Sequence, residues 1–399
     1  MKILFVIPSL KGGGQERAGM LLCNFLMQAH EVTAVCFEPQ QKDEYAYRCA
    51  IFRLPIRTTK GILPKAVAGI NRVRALKKIK KRLQPDVSIA FGNTAIILNT
   101  LSTIGEKNIA SIRQSFSVIG KDRSLPARAH IRLYVWALRK ADVIVPVSSA
   151  INKELKEYFN IPNERFINNG ISAQPSETLS SSRPIALTTN KHWLVHSGRF
   201  DRSKGQWHLV KIFVQVRKVL PGAALIFLGS TDEAHPESLS IAAYCKKFLT
   251  AENISWSSDL HMPADVIFAG HVNNPSEIIR QCTLFVFPSL WEGFPNALLE
   301  AMRCGVPVVA ADCATGPAEI LRKGDESFGI LLPPFTDDFP PARDTAALEA
   351  SWGEIIVSLL KDPAELDRLA HQSRRRAAEF SENIMGTRWL ELLQEVAVK

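Results

Sequence analysis

Short apolar runs alternate with stretches of helical spacing along nearly the whole chain. KILFVIPS at the start reads as a strand, and Arg17 to Ala29 follows with Met20, Leu21, Leu22, Phe25 and Leu26 at helical spacing. EVTAVCFE reads as a second strand, and PDVSIAFG, NIASIRQS and ADVIVPVSS as later ones, with helices expected at 64–83, 94–104, 127–140 and 149–159. Such alternation means parallel βαβ units. It stops over 171–191, ISAQPSETLSSSRPIALTTNK, where Ser, Thr and Pro dominate and a linker is expected. It then restarts: HWLVHSGRF predicts a strand, Leu209, Ile212, Phe213, Val216 and Val219 mark a helix, and AALIFLGS, VIFAGHV, TLFVFPS, GVPVVAAD and GILLPP predict further strands. Helices are expected from Asp344 to Leu360, Pro363 to Phe380 and Ser381 to Val398.

The predicted fold class is α/β, with two doubly wound, Rossmann-like domains. The expected boundaries are 1–172 for the N-terminal domain, 173–191 for the linker and 192–380 for the C-terminal domain. A last helix at 381–399 is expected to pack back on the N-terminal domain. In doubly wound sheets ligands bind beyond the carboxyl ends of the strands, so an interdomain cleft is the expected place for a site.

Composition narrows the class. A chain of 399 residues exceeds one ordinary core, and 46% hydrophobic with 22% charged residues excludes a disordered protein. No apolar run approaches the ~18 residues of a membrane-spanning helix. The N-terminus lacks a small-residue cleavage site. Seven cysteines without a C-x-x-C pair argue for reduced thiols and a cytoplasmic protein. Charge is uneven: residues 1–172 hold 27 Lys/Arg and 12 Asp/Glu, whereas the remainder holds 22 and 27. Between Tyr45 and Pro85 there are twelve basic residues and no acidic one. That asymmetry points to an anionic partner. KAVAGINRVRALKKIKKRL, 65–83, concentrates it, with Val67, Ile70, Val73, Leu76, Ile79 and Leu83 at helical spacing among Arg72, Arg74, Lys77, Lys78, Lys80, Lys81 and Arg82, seven of its eight basic side chains. An anionic membrane surface fits this segment. Nucleic acid is disfavoured because no aromatics are interleaved and no nucleic-acid module is recognisable.

The stretch richest in chemistry is FPSLWEGFPNALLEAMRCGVPVVAAD, 287–312. A buried strand ends at Pro288-Ser289, a loop carries Glu292 and Gly293, and Pro295 opens a helix that carries Glu300 and ends at Gly305. The Gly293 and Phe294 amides and the helix start can meet phosphate or sugar oxygens. Two glutamates so spaced can grip different hydroxyl-bearing parts of one ligand, or be a solvated loop residue and a helix-surface charge. In SGRFDRSKG, 197–205, Arg199 and Lys204 can converge on one anion, or belong to a solvated basic turn. SLKGGGQER places Gly13 and Gly14 where a backbone can approach a phosphate or form only a tight turn. It is no dinucleotide fingerprint, since Arg17 stands where the third glycine is needed, and that makes a nicotinamide-dependent oxidoreductase a poor reading. TGPAEIL, 315–321, reads as a turn into a short helix with Glu319 in its first turn.

The run PSLWEGFPNALLEAMRCGVPVVAAD followed by TGPAEIL resembles the signature of family-four retaining glycosyltransferases with the GT-B fold. The resemblance implies that Glu292 contacts the donor sugar and Glu300 the nucleotide ribose. It further implies that Arg199 and Lys204, in G-R-x-x-x-x-K-G, clamp the diphosphate and that Gly13 and Gly14 approach donor phosphates and acceptor. Glu292, Arg199 and Lys204 are then the expected catalytic residues. The C-x-x-G-P-x-E-I-L variant resembles enzymes of bacterial surface-polysaccharide, lipopolysaccharide or lipid-linked glycan synthesis. Many family members carry a histidine after the fourth N-terminal strand; ASIRQSFS has Arg113 instead, which binds acceptor phosphate or donor, or serves as a structural ion-pair partner. The implied reaction moves a hexose or N-acetylhexosamine, with retention, from a nucleoside diphosphate sugar (a UDP-sugar) to a lipid-linked or cell-surface glycan. The expected place of work is peripheral, on the inner face of the cell membrane. The alternative is a non-catalytic sugar-nucleotide or phosphoglycan binding protein on the same fold. No D-x-D triplet occurs and the histidines show no ligand spacing with cysteine, so neither a metal nor another cofactor is expected.

Overall fold

The computed structural model describes all residues except 41–44, 57–60, 117–123, 173–186, 188–190, 233–234, 342–344 and 399. The chain divides into two compact units, Met1–Ser172 with Phe380–Lys399, and Ala173–Glu379. Apart from Leu187 and Lys191, the expected linker at 173–191 lies outside the described residues.

The first unit is built on six parallel strands: β1 (Lys2–Ile7), β2 (Glu31–Cys36), β3 (Ala50–Arg53), β4 (Val87–Phe91), β5 (Lys107–Ile112) and β6 (Val143–Pro146). Their order, β3-β2-β1-β4-β5-β6, reverses between β1 and β4. β1, β4 and β5 are buried almost throughout, as strands covered on both faces must be. Helix Gly14–Leu26 packs against helix Glu382–Val398, and Met385, Trp389, Leu392, Leu393 and Val396 of the latter join Leu22, Leu26 and the β1 side chains in one core. Trp389 stacks on Phe91 at 6.4 Å. The C-terminal helix is thus part of the first unit.

Helix Ile62–Leu83 corrects the sequence reading of its basic face. Lys80 is fully buried: its ammonium lies 2.5 Å from Glu106 and donates to the Asn99 carbonyl at 3.0 Å. One turn away, Leu76 faces the same interior. Val67 and Ile70, two of the apolar positions at helical spacing, do not share that interior but stand exposed beside Arg74, Lys77, Lys78 and Lys81. At 100° per residue, Val67 and Ile70 fall among those cations, while Lys80 falls near Leu76. Arg72 is also drawn in, donating to the Ile56 carbonyl at 3.0 Å with its guanidinium over the Phe37 ring.

The second unit has seven parallel strands: β7 (His192–Ser197), β8 (Ala223–Leu228), β9 (Trp256–Ser257), β10 (Val266–Phe268), β11 (Leu284–Phe287), β12 (Val308–Ala311) and, last in the chain, β15 (Ile330–Leu332). They run β15-β12-β11-β7-β8-β10-β9, with a small antiparallel hairpin of β13 (Arg322–Lys323) and β14 (Glu326–Ser327) outside the sheet. The order reverses between β7 and β11, the paired strands whose following loops carry the predicted donor motifs. Helix Gln206–Val219, with Trp207, Leu209, Ile212, Phe213 and Val216 buried, packs on helix Ala346–Leu360 to cover this sheet.

Candidate active site

Loops leaving the carboxyl ends of β7, β11 and β12 meet at the switch point of the second unit. The first, 198–205, closes with a turn of 3₁₀ helix at Arg202–Lys204, capped by Asp201, whose carboxylate accepts the Ser203 N–H at 2.8 Å. Gly205 ends it at φ +62°, and a Cβ there would lie 2.5 Å from the Pro288 carbonyl oxygen. Only glycine lets the first loop touch the second. The Leu290 N–H donates to the Ser203 carbonyl at 2.8 Å, and Lys204 Nζ reaches Glu292 Oε1 at 2.7 Å. The third loop joins through the Thr315 hydroxyl, which donates to the Glu292 carbonyl, and through a bridge between Trp291 and Ala314. Glu292 is therefore held from both sides.

This geometry separates the three cations of R-x-x-R-x-K. Arg202 points away, bound to Asp337 and, at 2.9 Å, to Glu237. Lys204 turns in over the Phe287 ring, its side chain 24% exposed against 10% for Glu292. Arg199 is exposed, and its side chain has no ion-pair partner among the described residues. Its carbonyl is fixed by the Gln206 amide at 2.7 Å. Neither the solvated loop glutamate nor the uniformly solvated basic turn describes these residues. Glu300 is no surface charge either, being buried on helix Asn296–Arg303. Pro295 occupies the N-cap of that helix rather than its first turn, and the Gly293 N–H donates to no protein group among the described residues. Phe294 is buried at the same bend.

His196, the penultimate residue of β7, lies beneath loop 198–205. Its ring packs between Phe227 and Phe285 and near Phe287, and its Nδ1 bonds the Val286 carbonyl at 3.1 Å. Burial holds it down to about 4, with Lys204 adding to the shift and the Val286 bond opposing it. It is a neutral packing residue at physiological pH. The sequence signal was available: a histidine in an otherwise apolar strand directly before S-G-R. Ser289, fully buried with a hydroxyl lacking a partner among the described residues, is a second residue that motif reading passed over.

In the first unit, the glycine loop follows β1 and Arg113 follows β5. The Glu16 carboxylate folds against Gly13 so closely that a Cβ there would overlap it. Gly14 opens the helix, and the Glu16 carbonyl accepts the Tyr47 hydroxyl at 2.9 Å. The Arg113 guanidinium is buried, 4.8 Å above the Phe91 ring, and donates to Asn169 and, at 3.5 Å, to Ser111. These partners are neutral. Burial lowers it to about 9, opposed by the field of Glu16, so it stays charged at neutral pH. Arg113 is therefore a desolvated cation at the carboxyl edge of the sheet. Among the described residues no group of three or more His, Cys, Asp or Glu side chains is placed to hold a metal ion.

Comparison with known proteins agrees with this layout. Residues 12–174 match the family model described as Glycosyltransferase Family 4, and 191–342 match that described as Glycosyl transferases group 1. The chain carries a glycosyltransferase family 4 domain followed by a glycosyl transferases group 1 domain, and it is a glycosyltransferase. It is 26% identical to an uncharacterized glycosyltransferase of Methanocaldococcus jannaschii, over 82% of this chain and 83% of that one. It is also 26% identical to the Campylobacter jejuni N-acetylgalactosamine-N,N'-diacetylbacillosaminyl-diphospho-undecaprenol 4-alpha-N-acetylgalactosaminyltransferase, over 83% of this chain and 86% of that one. In fold it resembles sucrose-phosphate synthase from Thermosynechococcus elongatus, TM-score 0.76 at 19% identity with 99% of each chain covered. Anabaena HepE in complex with UDP and glucose gives 0.73 at 18% identity, covering 99% of this chain and 100% of that one. The fold is GT-B, and the glycosyltransferase has relatives in polysaccharide and lipopolysaccharide synthesis, such as a Rhizobium meliloti core mannosyltransferase, 26% identical over 56% of this chain and 60% of that one.

Proposed function

We propose that this enzyme transfers a hexose or N-acetylhexosamine, with retention of configuration, from a UDP-sugar to a lipid-linked glycan acceptor. The observation that carries the reading is the 2.7 Å contact of Lys204 with Glu292 at the sheet's switch point, with an exposed Arg199 on the same loop. As the donor bond breaks, negative charge grows on the departing diphosphate, and Lys204 and Arg199 are the cations available to stabilise it. The Glu292 carboxylate orients the sugar through its hydroxyls, the Gly293 and Phe294 amides meet donor oxygens, and Glu300 accepts from the ribose. Gly13, Gly14 and the desolvated Arg113 serve the acceptor end or the donor phosphates. No metal is needed where two side-chain cations take the charge. A nucleotide ligand is supported by the UDP in the HepE complex, and a lipid-linked acceptor by the diphospho-undecaprenol in the name of the Campylobacter relative. Among the described residues no helix is long and apolar enough to cross a membrane. The enzyme works from the inner membrane face, held by Arg74, Lys77, Lys78, Lys81 and Arg82 of the basic segment 65–83, without Lys80.

The test is incubation with UDP-glucose, UDP-galactose and their N-acetylated counterparts, with and without polyprenyl-diphosphate glycans. UDP release and a product of retained anomeric configuration are expected. Tight UDP binding without release from any donor would instead identify a binding protein.

A further inference from the structure

Helix Leu125–Lys140 carries a second exposed surface that the reading above does not use. Tyr134, Ala137 and Leu138 bury its inner face, and it packs on helix Asn93–Leu101, which also contacts helix Ile62–Leu83. Its outer face shows large apolar side chains to solvent: Leu125 is 80% exposed, Leu133 40% and Trp136 40%. With Ala129 they recur at i, i+4, i+8 and i+11, one stripe along the helix. Arg128, Arg132 and Arg139, also exposed, follow at i, i+4 and i+11 and line one flank of that stripe, with Lys140 at its end. The sequence LPARAHIRLYVWALRK contains no acidic residue.

We propose that this face inserts into an anionic lipid surface, with Leu125, Leu133 and Trp136 entering the headgroup–acyl boundary and the arginines meeting lipid phosphates. Charge decides the occupant. A second copy docked face to face would oppose two rows of arginine with no carboxylate on either helix, whereas an anionic bilayer is complementary to them. An indole beside arginines on a helix rim is the composition of interfacial helices, where one edge of the ring is apolar and the other wet. The basic segment 65–83 offers mainly charge; helix Leu125–Lys140 adds apolar area, so it sets how much binding survives added salt. The inference is independent of which sugar the enzyme moves.

The test uses the full chain with vesicles of phosphatidylglycerol and phosphatidylethanolamine. Leu133→Ser with Trp136→Ser should weaken partitioning about tenfold, a loss that persists at high salt because it is apolar. Arg128→Ser with Arg132→Ser and Arg139→Ser should weaken it at low salt and little at high salt. Brominated lipid should quench part of the wild-type fluorescence, and Trp136→Phe should abolish that component while keeping the fold by circular dichroism. Donor hydrolysis in vesicle-free buffer reads the function proposed above separately: its absence with vesicle binding intact would overturn that function and leave this inference standing. Unchanged partitioning of the serine variants would overturn the inference. So would a dimer in solution that Trp136→Ser dissociates.

Discussion

Arg199 is the cleanest probe of the proposed diphosphate clamp, because its side chain is exposed and holds no partner among the described residues that its loss would orphan. Arg199→Ala should leave unfolding unchanged and lower donor turnover by about 10²–10³, the scale of ~2.7–4 kcal/mol for one aimed charge. Lys204→Ala mixes two effects, since it leaves the Glu292 carboxylate largely buried and unpaired, at about 1–3 kcal/mol of stability. Adding Glu292→Gln should restore stability but not turnover, which comparison of melting curves with UDP release will show. Wild-type turnover in both single variants would remove the clamp assignment. His196 gives a prediction with a definite pH window. Its ordinary value is 6.5 and its folded value about 4, so only the unfolded chain takes up the proton between them. The His196 contribution to stability should therefore fall as pH drops from about 6.5 to about 4, by roughly 3 kcal/mol, and stay constant below, where the lowered carboxyls of Glu106, Glu365 and Glu379 continue the decline. His196→Phe, keeping a ring among Phe227, Phe285 and Phe287, should flatten that limb in denaturant titrations across the window, leaving the share of His30, which burial also shifts down.

At the scale of elements, helix Ile62–Leu83 shows how a contact distant in sequence overrides a local pattern. Lys80→Ala strands the buried Glu106 and should cost about 3–5 kcal/mol, whereas Lys81→Ala on the solvent face should stay within ~0.5 kcal/mol. Equal effects on the unfolding midpoint would overturn this assignment of faces. The helix periodicity puts Lys80 near Leu76, but nothing within the helix reveals the carboxylate that lets it turn inward, because Glu106 lies at the entry to β5. By contrast, β1, β4, β8, β11 and β12 were legible as apolar runs, since strands covered on both faces need no polar alternation. Helix Pro236–Ala251 escaped the sequence reading because its buried positions are weak markers: Ser238, Ile241, Ala242, Cys245 and Leu249. Short elements such as β3 and helix Pro275–Ile279 are set by pairing and packing that a local window does not contain. The loops after β7 and β11 were readable as motifs for the opposite reason. Their chemistry lies in contiguous motifs, G-R-x-x-x-x-K-G and E-x7-E, each hung on a buried strand. What the motifs could not show was that Glu292 and Lys204 touch, or that Gly205 admits Pro288 beside it.

For the molecule as a whole, the question is how a chain with a basic excess would handle the negatively charged diphosphate that the proposed reaction releases. Nucleotide-sugar chemistry offers two solutions, a divalent ion held by carboxylates or cationic side chains at the diphosphate. Four carboxylates of this unit are engaged in ion pairs: Glu292 with Lys204, Asp337 and Glu237 with Arg202, and Glu349 with His208 and Lys211. Among the described residues, no three potential ligands converge. The proposed clamp supplies two cations instead, Lys204 in contact with Glu292 and Arg199 exposed on the same loop. Turnover of a UDP-sugar should accordingly persist in excess EDTA, and added magnesium should change it by less than about twofold. Ionic strength should matter more for vesicle binding, because exposed cations more than about 8 Å from their target are screened at physiological salt, whereas a partly buried clamp is not. An absolute requirement for magnesium or manganese in single-turnover UDP release would contradict the side-chain clamp and move the leaving-group charge onto a metal.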